Sequence, residues 1–309
     1  MKIAILGAGG VGGYFGALLA RDGHDVTFIA RGPHLSAIKK RGISIKSPHG
    51  NFVIHPAKAT DSPKEIGVVD YVIVAVKHYQ LSEAVSSIPP LIGEGTTVVP
   101  LLNGIDAHEH IIQVVGPRHV VGGLCSLVSM IEAPGIIRHE TRLNRLVLGE
   151  LDGQKTERVE NLIQAWKSCG VEAIHADDIF VTIWTKFLFI SAFGGVSSLC
   201  RVTLGEIIET PQTRDLFVQA MEEVKQLAMR QGVALAADIV QSTMSFLEGI
   251  EPSATSSMQR DVMSGRPFEL EAFSGTIVRL GRQLGVPTPV HSAIYALLLP
   301  ALKHSLTSS

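Results

Sequence analysis

Near the start of the chain, Gly7-Ala8-Gly9-Gly10-Val11-Gly12 has the spacing Gly-x-Gly-x-x-Gly, which can seat a pyrophosphate on backbone amides. It follows the apolar run Ile3–Leu6 and opens an amphipathic stretch, Gly13 to Arg21, after which a second apolar run, Val26–Ile29, arrives. In that context Gly7 permits a tight turn, Gly9 lets the backbone approach an anion, and Gly12 lets helix and strand pack closely. The helix N-terminus adds N–H donors and the positive end of a dipole. A glycine-rich turn without a nucleotide would not need the strand–helix–strand context. The form of the dinucleotide is read at the end of the second run. An acid there binds a ribose 2′-hydroxyl, whereas Ile29-Ala30-Arg31 offers a planar guanidinium suited to a 2′-phosphate, so Arg31 points to NADP. Asp25 stands at the other end of that run. Lys77, just past the run Tyr71–Val76, either adds a second positive charge or is an ordinary solvated lysine.

Other polar residues stand in apolar or turn-rich surroundings. Asn103-Gly104 follows the run Thr96–Leu101, at an edge where doubly wound sheets bind ligands, and is also a common turn pair. Lys186 interrupts the apolar stretch Ile179–Ile190, where it either snorkels to water or is held in a low-dielectric cleft. Ser257 ends the Ser/Thr-rich stretch from Pro252, where hydroxyls commonly cap helices, and Asp261 lies one turn into the next helix. Glu269 follows Gly265-Arg266-Pro267 at a helix start, a place where the macrodipole favours a carboxylate in any case. Each of these, taken singly, also fits a purely structural role.

Taken together they resemble the ketopantoate reductase (2-dehydropantoate 2-reductase) family over nearly the whole chain. The resemblance rests on Leu6-Gly-Ala-Gly-Gly-Val-Gly-Gly13, Arg31, Val76-Lys77, Leu102-Asn-Gly104, Trp184-x-Lys186, Ser256-Ser-Met-x-x-Asp261 and Gly265-Arg-x-x-Glu269. It implies NADPH-dependent reduction of a small 2-oxo acid, ketopantoate to pantoate by default, as in pantothenate biosynthesis. Lys186 would then be the general acid, with Glu269 binding a substrate hydroxyl and orienting the lysine. Ser257 would bind the substrate carboxylate, Asn103 would bond near the reacting carbon, and Asp261 would be structural support. Gly7, Gly9, Gly10, Val11, Gly12, Arg31, Lys77, Asn103 and Glu269 would contact the cofactor. Such a set is chemically coherent, because an ammonium stabilises a developing alkoxide and then delivers the proton.

One departure bears on the substrate. Four and eight positions after the lysine, where the family usually offers asparagines, this chain has Ile190 and Gly194. Losing two amides from one helical face removes anchors for a hydroxylated acid, and a less polar 2-oxo acid or ketone would suit Ile190 better. Ser191 or Ser197 could supply replacement hydroxyls. A further reading, a non-catalytic NADP(H)-binding sensor, predicts tight cofactor binding without oxidation by any ketone; the joint presence of Lys186, Glu269, Ser257 and Asn103 argues against it.

The elements that must position these residues fall into two textures. Up to Ala176 short β-rich runs alternate with helical ones: Ile3–Leu6, Val26–Ile29, Tyr71–Val76, Thr96–Leu101, Leu146–Leu148 and Val171–Ile174, with a hairpin between Ile43 and Ile54. Several are continuous apolar runs, as expected of a parallel sheet covered on both faces. This predicts an α/β Rossmann-type dinucleotide domain over residues 1–176, with some antiparallel pairing at one edge. Residues 177–309 read as an all-helical substrate domain, with helices near 179–199, 213–231, 235–248 and 269–284.

Composition narrows the function classes. The 309 residues are 46% hydrophobic and 18% charged, below the ~25% charged of an average soluble protein, with net charge −2. There are 17 Lys and Arg against 16 Asp and Glu up to Ala176, and 10 against 13 after it, so no basic half suggests nucleic acid. Cys125, Cys169 and Cys200 lie far apart, which fits a reducing compartment better than a disulfide framework. The apolar start to Ala20 holds six glycines, too many for a secretory helix, and the stretch Ile179–Phe193 is short and broken by Lys186. The expectation is a cytoplasmic protein without membrane contact. No metal site is expected, since His108 and His110, two apart, diverge on a helix. The apolar circumference of 179–199 marks a core helix or, less simply, a homodimer interface.

Overall fold

The computed structural model describes residues 1–307, which divide into two compact units after Phe180. The division falls four residues beyond Ala176, inside the first turn of a long helix.

The first unit runs β1 (Lys2–Leu6), α1 (Gly10–Arg21), β2 (Asp25–Ile29), α2 (Gly32–Arg41), β3 (Ile43–Lys46), β4 (Phe52–Ile54), β5 (Lys58–Thr60) and β6 (Tyr71–Val74). It continues through α3 (Leu81–Ser86), β7 (Thr97–Pro100), α4 (Ala107–Val115), β8 (Gly122–Ser126), β9 (Ser129–Ala133), β10 (Ile136–His139), β11 (Arg145–Gly149), α5 (Glu157–Ser168) and β12 (Glu172–His175). Five parallel strands form the central sheet in the order β5-β2-β1-β6-β7. The chain moves outward in one direction from β1 to β2 and β5, then returns to β6 on the other side. That reversal between β1 and β6 creates the crevice in which doubly wound sheets bind ligands.

The apolar runs of β1, β6 and β7 are buried throughout or nearly so, because helices cover both faces of the sheet. One core cluster joins α1 and α5 through Phe15 and Trp166, whose rings meet edge to face at 6.1 Å. Such a pair contributes ~0.5–1.5 kcal/mol beyond its area.

The expected hairpin forms, as β3 and β4 with Ile43 opposite Ile54, but not at the edge of the parallel sheet. It belongs to a separate four-stranded sheet, β4-β3-β10-β9. The runs around Leu146–Leu148 and Val171–Ile174 likewise leave the central sheet and form a third, β12-β11-β8. Local alternation indicates a strand but not which sheet adopts it, since pairing partners are far away in sequence. Strands β9 and β10 carried no signal strong enough to be expected; their burial is mixed and partial.

Helix α6 (Ile179–Cys200) links to the second unit, followed by α7 (Leu204–Glu209), α8 (Pro211–Arg230), α9 (Ile239–Leu247) and α10 (Ser257–Met263). A π turn over Glu271–Gly275 leads directly into α11 (Thr276–Leu284), and α12 (Pro289–Thr307) follows. Among the described residues this unit contains no strand. Helix α6 is longer than the apolar stretch suggested, and by length and composition alone it could cross a membrane. Its most apolar window is 61% buried within the protein, as in the core helix of a globular chain. Helix α12 lies beyond the stretches read as helical in the sequence; it begins at Pro289, a favoured first-turn position, and carries Pro300 inside it.

Candidate functional site

In the first unit, β1 ends at Leu6 and the chain turns at Gly7, whose φ of 97° is open to glycine and strained for other residues. The amides of Gly7 and Ala8 both donate to the Ile29 carbonyl at 3.2 Å, fixing the loop to the end of β2. A Cβ on Gly7 would lie 2.8 Å from the Ala75 carbonyl oxygen, and one on Gly12 only 2.2 Å from the Gly7 carbonyl oxygen. Gly10 is closed off by the Ser129 carbonyl at 2.5 Å. Gly9, in contrast, faces open space. The loop is packed on its inner sides and bare where an anion would approach. Helix α1 has no acidic residue in its first turn, so nothing neutralises the free amides of Gly10, Val11 and Gly12.

His34, which sequence reasoning did not single out, braces this loop. Its Nε2 lies 2.8 Å from the Ala8 carbonyl, and its Nδ1 accepts from the Gly135 amide at 3.0 Å. Accepting at Nδ1 requires the neutral ring, and burial holds its pKa below the ordinary value. No local pattern announces such a role; its partner lies 101 residues away.

Arg31 caps α2 directly after β2. Its guanidinium bonds the Glu83 carboxylate of α3 at 2.7 Å, with both side chains about two-thirds exposed (67% and 68%). Lys77 and Asn103 follow β6 and β7 at the same sheet edge and are part-buried. Their loops are joined by His78 Nε2 and Asp106 Oδ1 at 2.7 Å. The structure thus brings the glycine loop, Arg31, Lys77 and Asn103 to the carboxyl edge around the switch point.

The second unit holds the rest of the set. On α6, Ile183, Trp184, Phe187 and Leu188 are buried, while Thr182, Lys186 and Ile190 form a part-exposed line at four-residue spacing. Lys186 therefore sits on the open face of an otherwise buried helix. The π turn packs on that helix beside it: the rings of Phe187 and Phe273 are 6.1 Å apart. Glu269, 5% exposed, lies two residues before the turn, and its carbonyl accepts from the Phe273 amide at 3.2 Å. Single π turns often mark functional sites. Asp261 pairs with Arg266 at 2.9 Å and accepts the Arg266 amide on its own carbonyl, closing the turn that delivers the chain to Glu269.

Ser257 is exposed as the first residue of α10, and the capping role falls to Ser256, whose Oγ accepts from the Gln259 amide at 3.0 Å. The Ser257 hydroxyl is thereby left out of the cap. Gly194 lies where a Cβ would stand 3.3 Å from the Phe273 ring and 3.5 Å from Met258 Cβ. Ser191 and Ser197, the hydroxyls that could have replaced the missing amides, are turned to their own helix. Both are fully buried and donate to carbonyls of their own helix, Phe187 at 2.7 Å and Phe193 at 2.6 Å. An open groove of about 790 Å³ between α8 and the start of α12 contains none of the predicted residues.

A doubly wound sheet with a bare glycine loop at its switch point, followed by a helical unit bearing a lysine and a buried carboxylate, defines a dinucleotide-linked oxidoreductase. Residues 3–153 match the family model described as ketopantoate reductase PanE/ApbA, and residues 178–301 match that of its C-terminal part. The chain belongs to the ketopantoate reductase family. It is 33% identical to a 2-dehydropantoate 2-reductase of Mesorhizobium japonicum, covering 96% of this chain and 97% of that protein. It is 32% identical, over the same shares, to an uncharacterised oxidoreductase of Bacillus subtilis. Among solved structures, a 2-dehydropantoate 2-reductase of Geobacter metallireducens superposes with a TM-score of 0.91 at 32% identity, covering 97% of this chain and 100% of that one. A D-mandelate dehydrogenase in complex with NADH superposes with a TM-score of 0.87 at 25% identity, covering 98% and 99%.

Proposed function

We propose that the protein reduces a small 2-oxo acid with NADPH, ketopantoate to pantoate in the first instance, and that Lys186 is the proton donor. The observation that carries this reading is Lys186 on the open face of a buried helix, beside the segment that presents Glu269. The glycine loop fits a dinucleotide: Gly9 is open, the first α1 amides are free of competing acids, and Arg31 stands at the end of β2. When bound, the nicotinamide supplies the hydride. The Lys186 ammonium stabilises the negative charge gathering on the ketone oxygen and donates the proton that completes the hydroxyl. Glu269 orients that ammonium and accepts from a substrate hydroxyl, the Ser257 hydroxyl donates to the carboxylate, and Asn103 holds the substrate near its reacting carbon.

The choice of NADPH rests on Arg31, and Glu83 opposes it, because a 2′-phosphate must displace that carboxylate. Arg31→Ala is expected to raise the KM for NADPH about 10-fold or more, the loss of one charge-assisted hydrogen bond, with little change for NADH. Glu83→Gln is expected to lower it. Equal changes for both cofactors would remove Arg31 from the choice.

A second reading of the substrate is favoured by the Phe273 ring against Gly194 and by Ile190 on the Lys186 line, which offer an apolar wall. That wall suits a 2-oxo acid with a branched or aromatic side chain, in keeping with the D-mandelate dehydrogenase likeness. Steady-state oxidation of NADPH and NADH with ketopantoate and with such acids separates the readings through kcat/KM. Preference for ketopantoate upholds the first, and preference for an apolar acid the second. Tight NADPH binding with no turnover on any of them would leave a binding protein instead.

A further inference from the structure

The loops after β6 and β7 carry a cluster that the proposed reduction does not use. Asp106 caps α4, and His110, four residues on, lies on the same face, so both side chains reach one spot from a single helix turn. His78 enters from the β6 loop. Its Nε2 is 2.7 Å from Asp106 Oδ1, and His110 Nε2 is 3.8 Å from Asp106 Oδ2. One donor atom from each of the three residues lies within 4.8 Å of the others, and the two imidazole planes stand at 88° with centroids 6.1 Å apart.

Tetrahedral coordination at bond lengths of ~2.0–2.1 Å places ligand atoms about 3.4 Å from each other. The 2.7 and 3.8 Å separations, each to a different oxygen of the Asp106 carboxylate, lie on either side of that value. Two imidazoles and a carboxylate with a fourth position open form a ligand set for borderline ions such as zinc or cobalt, and a poor one for magnesium or calcium. His78 and Asp106 are largely shielded, 12% and 18% exposed, while His110 at 39% leaves an entry path.

We infer that His78, Asp106 and His110 bind a divalent transition-metal ion of the zinc class. The ion would replace the His78–Asp106 hydrogen bond and tie the two loops together. His78 directly follows Lys77, and Asp106 stands three residues after Asn103. The His78 ring also lies 3.2 Å from where a Cβ on Gly104 would be. Binding therefore restrains the segments bearing Lys77 and Asn103 without using either as a ligand.

The test is isothermal titration of chelator-stripped full-length protein with zinc chloride, supported by the visible spectrum of the cobalt(II) form and by melting with and without zinc. One equivalent of zinc, a tetrahedral cobalt spectrum and a raised Tm are expected. His110→Ala and Asp106→Asn should each weaken binding about 100-fold or more and abolish the Tm rise, while His108→Ala and His49→Ala should leave both unchanged. His110 is surface-accessible, so its variant keeps the test valid should Asp106→Asn fail to fold. Absence of zinc binding, or binding unaltered in His110→Ala, overturns the assignment. None of these readouts depends on turnover, so the result stands apart from the proposed reduction.

Discussion

Replacing Lys186 with alanine is expected to lower kcat for ketone reduction by about 10³–10⁴-fold while the dissociation constant for NADPH stays unchanged. General acid catalysis contributes ~10²–10⁴-fold, and an ammonium placed where charge develops adds an electrostatic share. Lys186 is not among the residues assigned to cofactor binding, most of which lie in the first unit, so the two readouts separate. Lys186→Arg should remain defective, because a guanidinium keeps the charge but does not give up a proton near neutral pH. Turnover of Lys186→Ala within 10-fold of the parent would remove the lysine from the chemistry. Fluorescence titration with NADPH and single-turnover kinetics make the measurement.

The second large effect concerns acid stability and comes from a residue outside the chemistry. His291 is completely buried at the start of α12. Its Nε2 lies 3.1 Å from the Ala220 carbonyl, and its Nδ1 3.1 Å from Ser274 Oγ in the π turn. Burial pushes its pKa down to about 4 from 6.5. Above pH 6.5 both folded and unfolded chains hold the neutral ring, and the group has no pH effect. Between 6.5 and about 4 the unfolded chain takes a proton that the native one refuses, so stability falls with acidification by about 3 kcal/mol in all. Glu223 acts in the opposite sense. Burial raises its pKa although it accepts the amides of Val290 and His291 at 2.6 and 3.0 Å. Its protonation in the folded state therefore returns some stability as pH falls.

Urea unfolding of the parent and of His291→Gln at pH 7, 5.5 and 4.5 isolates the histidine share. The variant should be less stable at pH 7 but lose less on acidification, its slope flatter by up to ~1.4 kcal/mol per pH unit. Parallel slopes would show that His291 does not govern acid stability. Because His291 holds Ser274, early acid loss should also loosen the π turn that follows Glu269.

Much of this architecture is written locally. Ile3–Leu6 followed by the glycine spacing identifies a strand, a turn and a helix within 21 residues, with Gly7 at positive φ and Gly12 in close packing as that spacing implies. Helices α6, α8, α9 and α11 of the second unit are likewise visible in apolar periodicity, whereas α7 and α12 are not. What depended on distant partners was not. Nothing in Ile43–Ile54 reveals that the hairpin pairs with β10, and nothing in Ser256-Ser257 shows which hydroxyl caps the helix. The π turn has no sequence signature, since its i→i+5 bond from the Gly275 amide to Leu270 depends on packing. The three-residue cluster at Asp106 is illegible in sequence for the same reason, since His78 is remote from Asp106 and His110 along the chain.

The glycine loop, read as the most local motif in the chain, is in its finished form one of the least local. Gly10 rests on Ser129, Gly13 on Ile137, and His34 joins Ala8 to Gly135. A nascent chain that has emerged only as far as α4 would carry the complete fingerprint with its floor missing. The entropy of closing loops of more than a hundred residues is spent before that floor is in place. The floor of the glycine loop is therefore built by the whole first unit, and a fragment bearing the motif alone would inherit the letters without the shape.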